Sequence, residues 1–203
     1  STGTGGAGTI QHGLGAVPHW IISKGRSNDG GWVVYHQNNT SAPETDALNL
    51  SSDGATVDAV AWFNDTAPTS SVFTVGTTND INGDGRTYIH YVFTEIQGYS
   101  KFGGYTGNGN QDGTFVYTGF KPAWIMAKRT DTAKNWYIAD STRSPINVNK
   151  AFLVPNSSDA EDTSGDTTDS YFDILSNGFK LRQDFSHLNA SGAEHIYMAF
   201  AEH

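Results

Sequence analysis

The segment AVPHWIISKGR at residues 16–26 recurs in altered form as FKPAWIMAKRT at residues 120–130. Proline, tryptophan, isoleucine and lysine keep the same spacing in both copies. The matched pairs are Pro18 and Pro122, Trp20 and Trp124, Ile21 and Ile125, and Lys24 and Lys128, all 104 positions apart. Because both copies face the same packing problem, we expect their shared apolar residues to form a core rather than a binding site.

The match extends over nearly the whole chain. With small insertions, VFTVG at residues 72–76 aligns with GFKLR at residues 178–182, and YIHYVFTE at residues 88–95 aligns with HIYMAFAE at residues 195–202. Self-similarity at a period of about 100 residues indicates a duplicated structural unit. The sequence therefore predicts a first repeat at residues 1–98 and a second at residues 99–203.

Each repeat predicts short antiparallel strands separated by turns. HWIISKG at residues 19–25 and GWVVYHQ at residues 31–37 are rich in β-branched and aromatic residues, and the Asn-Asp-Gly-Gly run between them is a hairpin signal. Six or seven strands per repeat predict an all-β fold, an antiparallel β-sandwich or jelly roll. The short junction at residues 97–105 permits either two sandwiches or one larger, concanavalin-like sandwich.

The composition limits the classes of function. The chain has 203 residues, no cysteine and a formal net charge of −9, and its 12% of aromatic residues is too high for a disordered chain. The lack of cysteine excludes disulfides, thiolate metal sites and a cysteine nucleophile. An acidic chain without a basic stripe is a poor ligand for nucleic acid, and no apolar run approaches the ~20 residues of a membrane span. We therefore expect neither a nucleic-acid partner nor membrane insertion.

Several segments resemble modules that recur in tail-fibre and other virion-associated proteins of bacteriophages, notably marine ones. They are GYTGNGNQDGTFVYTGFKPAWIMAKRTD at residues 104–131, NWYIADSTR at 135–143, NASGAEHIYMAFAE at 189–202 and WFNDTAPTSSVFTVG at 62–76. The resemblance implies a concanavalin- or jelly-roll-like sandwich for display or recognition, located outside the cell or on the virion surface. Its implied partners are glycans, host-surface receptors or other virion proteins. It carries no catalytic residues over to this chain.

NDINGDGRTY at residues 79–88 matches the first half of a calcium-binding loop. Asp80, Asn82 and Asp84 offer the oxygen ligands that calcium prefers. The position that normally holds a bidentate glutamate is Tyr91, and no helix is predicted beside the loop. The motif therefore predicts a calcium site at these three residues or, as the alternative, a tight hairpin turn.

The remaining motifs give little support to catalysis. The acidic segment at residues 157–170 predicts a solvated surface loop, with a weak cation site as the alternative. The histidines lack the spacing of metal hydrolases, and no G-x-S-x-G elbow or phosphate-binding loop is present. An enzyme would need a triad or a carboxylate pair assembled from distant loops.

Residues that differ between the repeats are the candidates for ligand binding. Aromatic planes cover the apolar face of a sugar ring, while amides, carboxylates and guanidinium groups bind its hydroxyls. Tyr35 stands opposite Ala139, Trp62 lies in an unmatched stretch, and the junction adds Tyr99, Phe102 and Tyr105. The predicted ligand-binding residues are Trp62, Tyr35, His36, Asn64, Asp140 and Arg143. The alternatives are a core position for Trp62 and a structural ion pair for Asp140 and Arg143.

Together these observations predict a non-catalytic recognition module that binds carbohydrate or a receptor in a phage tail fibre or similar virion protein. One alternative is a structural virion decoration or spacer domain without a small ligand. A second is a polysaccharide-degrading enzyme on a jelly-roll scaffold. Calcium is the one cofactor that the sequence suggests.

Overall fold

The computed structural model describes residues 1–161 and 171–202, which form β-strands and one short helix. Residues 162–170 of the predicted acidic loop lie outside the described residues. Every strand pairing in the described part of the chain is antiparallel, which confirms the predicted all-β antiparallel class. The chain divides into two compact units, Ser1–Thr94 and Glu95–His203. No helix within the described ranges is long and apolar enough to cross a membrane.

Unit 1 is built from two antiparallel sheets. Its elements are β1 (Gly8–Gln11), β2 (Trp20–Gly25), β3 (Trp32–His36), β4 (Asp46–Asn49), β5 (Val57–Asp58), α1 (Val60–Phe63), β6 (Val72–Val75) and β7 (Tyr88–Phe93). One sheet has the order β5-β4-β3-β2-β7, and the other pairs β1 with β6. Ile21 and Val33 of the larger sheet share one buried cluster with Phe73 and Val75 of the smaller sheet, so the unit is sandwich-like.

Unit 2 has a five-stranded and a three-stranded sheet. Its strands are β8 (Ser100–Thr106), β9 (Phe115–Tyr117), β10 (Pro122–Arg129), β11 (Trp136–Asp140), β12 (Phe152–Leu153), β13 (Phe172–Leu175), β14 (Gly178–Leu181) and β15 (Glu194–Ala201). The sheet orders are β12-β11-β10-β15-β8 and β13-β14-β9. Ile125 and Tyr137 of the larger sheet pack in one cluster with Val116, Phe172 and Phe179 of the smaller sheet.

The strand order β4-β3-β2-β7 of unit 1 recurs in unit 2 as β12-β11-β10-β15. The register also recurs, because Trp20 pairs with Phe93 as Trp124 pairs with Phe200. The two sheets differ at both edges. In unit 2, β8 lies beyond β15, whereas β7 is the last strand in unit 1; in unit 1, β5 lies beyond β4, whereas β12 is the last strand in unit 2.

In each unit the side chain of a buried asparagine is hydrogen-bonded to a glycine-rich segment. Asn82 is 5% exposed and Asn189 is 0% exposed, and each side chain donates two hydrogen bonds to backbone carbonyls and accepts one from a backbone N–H. The partners of Asn82 are Gly6 O (2.6 Å), Gly76 O (2.9 Å) and Thr4 N (3.1 Å), and those of Asn189 are Asn110 O (2.9 Å), Gln183 O (2.8 Å) and Asn108 N (3.1 Å). These bonds satisfy backbone groups that no strand pairs.

Candidate functional site

Two of the predicted ligand-binding residues, Tyr35 and His36, are buried. Tyr35 is 4% exposed, and its ring meets the edge of Phe63 at 5.7 Å in the core of unit 1. Burial, assisted by the charge of Glu44, raises the pKa of Tyr35 to about 12. His36 is 0% exposed, accepts a 2.9 Å hydrogen bond at Nδ1 from the Asn38 N–H and packs against Trp20. The structure thus gives both residues a packing role, because neither offers a surface to a ligand.

Trp62 and Asn64 belong to helix α1 and its C-terminal cap. Asn64 adopts a left-handed conformation with φ of 55° and donates its N–H to the Val60 carbonyl at 2.8 Å. Asparagine tolerates this conformation better than most residues, so Asn64 ends the helix. Trp62 is half-buried and packs against the core of unit 1. This position corresponds to the alternative of a core residue.

Asp140 and Arg143 form an ion pair within a turn. Arg143 Nε lies 2.6 Å from Asp140 Oδ2, while Asp140 Oδ1 accepts hydrogen bonds from the N–H groups of Thr142 and Arg143 at 3.0 and 2.8 Å. Arg143 Nη1 also lies 3.4 Å from Glu161 Oε2. The paired carboxylate of Asp140 raises the pKa of Arg143. This geometry corresponds to the structural alternative for the pair.

The predicted calcium loop forms turns between β6 and β7. Asp84 is exposed and Asp80 is half-buried, but the Asn82 oxygen accepts the Thr4 N–H bond described above. The calcium site at Asp80, Asn82 and Asp84 stays a prediction, in which the Asn82 oxygen would serve both the Thr4 N–H and the ion. Within the described ranges, no group of three or more histidine and acidic side chains is placed to hold a metal.

The junction aromatics are also mainly packing residues. Phe102 is 1% exposed and Tyr105 is 8% exposed, and the Tyr105 ring stacks on His195 at 4.7 Å. Desolvation raises the pKa of Tyr105 and lowers that of His195 to about 4. Tyr99 is half-buried beside Phe200.

Two large aromatic side chains on β9 point away from the core of unit 2. Phe115 is 42% exposed and Tyr117 is 64% exposed, whereas Val116 between them is 5% exposed and joins the core. The solvent side of a strand normally carries polar residues. On β9 it carries two aromatic rings instead, which exposes apolar surface to water. We therefore take the outward side of β9 as the candidate functional site, because contiguous exposed apolar surface can mark an interaction site.

The pairing of three strands extends this surface into a face. Phe115 pairs with Lys180, and Lys180 pairs with Asp173; in the next row Tyr117 pairs with Gly178. Directly paired residues point to the same side of a sheet. We call Phe115, Tyr117, Gly178, Lys180 and Asp173 the aromatic face.

Glycines keep this face open beneath its rings. A Cβ at Gly178 would lie 3.1 Å from the Phe115 ring and 2.1 Å from the Val116 carbonyl oxygen. Gly119 has φ of +86°, and a Cβ there would lie 3.6 Å from the Tyr117 hydroxyl. A side chain at Gly178 would therefore meet the Phe115 ring, and the left-handed conformation of Gly119 favours glycine.

The two charged residues of the aromatic face, Lys180 and Asp173, each form an ion pair. Lys180 Nζ lies 2.8 Å from Asp112 Oδ1, and Arg182 Nε lies 3.2 Å from Asp173 Oδ2. The Lys180 ammonium lowers the pKa of Asp112, whose side chain is 87% exposed. The face thus combines aromatic rings with both charged donors and charged acceptors.

A surface recess of about 470 Å³ adjoins Tyr117, and we call it the Tyr117 recess. Glu95, Gln97 and Lys101 supply polar groups to its wall. Glu95 Oε2 lies 2.9 Å from Lys101 Nζ, and Glu95 Oε1 accepts the Phe102 N–H at 3.1 Å. These bonds fix the carboxylate beside the exposed Tyr117 ring.

The sequence reasoning missed Phe115 and Tyr117, although a signal for them was present. The observed registers place β1 and β9 in equivalent positions, with Thr9 matching Phe115 and Gln11 matching Tyr117. The same comparison that selected Tyr35 would have selected both residues. A second recess in unit 2 contains Tyr137, Phe152 and Tyr171, but these rings are 5%, 7% and 8% exposed and belong to the core.

The fold and the face define an all-β, sandwich-like protein with an exposed aromatic surface on one sheet. A family model described as a domain of unknown function (DUF7483) matches residues 1–203, and the chain belongs to this family. No curated protein matches the chain, and no solved structure matches it.

Proposed function

We propose that the chain is a non-catalytic recognition module that binds carbohydrate at the aromatic face and the Tyr117 recess. The observation that carries this proposal is the exposure of Phe115 and Tyr117, at 42% and 64%, on one strand. Their outward rings can cover the apolar C–H faces of sugar rings, which removes apolar surface from water on both sides.

Polar groups around the rings supply the second requirement for sugar binding. Lys180 and Asp112 border Phe115, and Lys101, Glu95 and Gln97 border Tyr117. Ammonium groups donate to sugar oxygens, while carboxylates accept from sugar hydroxyls. The ion pairs of Lys180 with Asp112 and of Lys101 with Glu95 reduce the side-chain entropy that binding would cost.

The setting that we propose is a phage tail fibre or a similar virion protein, with a host-surface glycan or receptor as partner. The support for this setting is the sequence resemblance together with the sandwich-like units. We also propose that the two units are copies of one ancestral sandwich of jelly-roll or concanavalin-like type. The recurrent strand order and the equivalent roles of Asn82 and Asn189 support this duplication.

A glycan array followed by titration of the retained glycans tests the function. We expect binding by the intact chain, and a loss of at least tenfold in affinity for Tyr117→Ala and for Phe115→Ala. Tyr91→Ala is the matched control, since Tyr91 is 42% exposed but lies on β7 of unit 1. Repeating the array with calcium and with a chelator tests the predicted Asp80, Asn82 and Asp84 site in the same experiment.

Other results would favour the alternatives. An array that stays blank under both metal conditions would overturn the carbohydrate proposal and favour the structural virion spacer. Release of reducing ends from a retained polysaccharide would favour the enzyme. Equal losses in Tyr117→Ala and Tyr91→Ala would show that binding does not use the aromatic face.

A further inference from the structure

The two exposed rings of β9 occupy alternate positions of the strand, so both lie on the same side of the sheet. Residues at this spacing are about 7 Å apart along a strand. A six-membered sugar ring is similar in size to one of these aromatic rings, and it can cover one of them but not both. Covering Phe115 and Tyr117 together therefore requires at least two sugars.

Both rings lean in the same direction along β9. A Cβ at Gly178, which pairs with Tyr117, would lie 3.1 Å from the Phe115 ring, so this ring reaches into the row of Tyr117. A Cβ at Gly119 would lie 3.6 Å from the Tyr117 hydroxyl, so the second ring reaches towards the position beyond its own row. The rings thus follow one another along the strand, and a chain that crosses both of them runs in the strand direction.

Polar groups lie at both ends of this pair of rings. Beyond the C-terminal end of β9, the Tyr117 recess is lined by Tyr117 and the two residues after it, with Glu95 among the polar groups of its wall. At the other end, Lys180 lies opposite Phe115 and forms its ion pair with Asp112. These groups can bind the hydroxyls of sugars that precede and follow the two stacked ones.

The charges along this line are balanced. Each of three basic side chains lies within 3.2 Å of a carboxylate: Lys180 with Asp112, Arg182 with Asp173, and Lys101 with Glu95. The three pairs carry no formal net charge, yet they keep their capacity to form hydrogen bonds. The net charge of −9 on the whole chain repels polyanions. These charges favour an uncharged glycan over an anionic one.

We propose that Phe115 and Tyr117 are neighbouring subsites for an extended, uncharged polysaccharide whose chain runs along β9 and enters the Tyr117 recess. This inference rests on the proposed function and adds the class of glycan, an internal stretch of a polymer rather than a single terminal sugar. Each ring stacks on one sugar. Because the two sugars are linked, binding of the first holds the second close to its ring.

A length series of uncharged oligosaccharides tests the proposal. The probes are glucose, mannose and xylose and their β-1,4-linked oligomers of two to six sugars, since this linkage gives extended chains. Isothermal titration calorimetry measures the affinities. For the series that binds, we expect the affinity to rise at least about tenfold from the monosaccharide to the tetramer and then to level off, because both rings and both ends are then covered.

Substitutions at the two rings show whether both belong to one site. Phe115→Ala and Tyr117→Ala should each reduce the gain from monosaccharide to tetramer to about threefold or less, because one stacking position remains. Tyr117→Phe keeps the ring and should keep the gain. Tyr91→Ala is the matched control and should leave the series unchanged. Urea unfolding of each variant separates a loss of affinity from a loss of folding.

Charged probes and salt test the preference for an uncharged chain. The β-1,4-linked oligomers of mannuronate and glucosamine are the anionic and cationic counterparts of the mannose and glucose series. Neither should bind more tightly than the uncharged oligomer of the same length. Between about 0.15 M and about 1 M salt, the affinity for the uncharged tetramer should change less than about twofold, because salt screens interactions between charges.

The failure of this inference is distinguishable from the failure of the proposed function. Monosaccharides that bind as tightly as hexamers, a length dependence that survives Tyr117→Ala, or tighter binding of a charged series would each overturn the extended, uncharged chain. All three results would still show glycan binding. Absence of binding to every oligomer, with other glycans retained on the array, would have the same meaning. A blank array would overturn the proposed function and this inference together.

Discussion

In the two units the large inward-facing aromatic side chain lies at different positions on equivalent strands. On β3 of unit 1 the inward residues are Val33 and Tyr35, whereas on β11 of unit 2 they are Tyr137 and Ala139. The large side chain has moved by two residues, and different neighbours fill the space around it. A difference between the units can therefore be a packing solution, so it does not by itself indicate function.

The solvent-facing residues of β9 differ from those of β1, and this difference does not serve packing. Thr9 and Gln11 of unit 1 correspond to Phe115 and Tyr117, and these two aromatic residues remain 42% and 64% exposed. No packing gain in the core accompanies this change. The comparison teaches that a difference between the units points to function only where the larger residue stays exposed to solvent.

Tyr35→Ala should give the largest loss of stability. The substitution opens a cavity beside Phe63, and removal of a buried aromatic side chain typically costs about 3–5 kcal/mol. Urea unfolding measures the loss. Ala139→Tyr at the equivalent position of unit 2 should cost about 1–3 kcal/mol through overpacking. A loss below about 1 kcal/mol for Tyr35→Ala would mean that the site is a surface position after all.

Removing the buried asparagines should have the next largest effect. Asn82→Ala and Asn189→Ala each leave three backbone groups without their side-chain partners, and we expect a loss of about 3 kcal/mol for each. Thermal and urea unfolding measure the loss of stability. Asn38→Ala is the control, because Asn38 is exposed. Strongly unequal losses would show that the two residues are not equivalent in the two units.

Acid should destabilise the protein before its carboxylates are protonated. Burial lowers the pKa values of His90, His187 and His195 to about 4, against 6.5 in the unfolded chain, and cationic neighbours contribute at all three. Between these values the unfolded state binds more protons, so stability is complete above pH ~6.5 and falls as the pH approaches ~4. For the buried His195 this loss is about 3 kcal/mol.

His195→Phe isolates that contribution. Phenylalanine can still stack on Tyr105 but takes up no proton. We expect the dependence of the unfolding free energy on pH to become flatter between pH 6.5 and 4, whatever the stability at pH 7. An unchanged slope would mean that His195 is protonated in the folded state.

The sequence allowed the strand class and the antiparallel pairing to be predicted, because turn signals and alternating apolar positions carry that information. The direction of individual side chains was harder. Trp20 and Ile21 are adjacent on β2 and both 0% exposed, so alternation no longer separates an inward from an outward side. The burial of Tyr35 and His36 was not predicted for this reason, whereas the exposed Phe115 and Tyr117 could have been found by extending the comparison to β1 and β9.

Tyr117→Ala should have the smallest effect on stability. The side chain is 64% exposed and lies over Gly119 rather than in a core, so we expect a change within about 0.5 kcal/mol of the unchanged protein. Tyr35→Ala should reduce stability, because Tyr35 serves packing. Tyr117→Ala should instead reduce glycan affinity, because Tyr117 is exposed. Urea unfolding and glycan titration of the same preparations check both quantities. A loss above about 2 kcal/mol for Tyr117→Ala would make Tyr117 a structural residue and remove the main support for the aromatic face as a binding site.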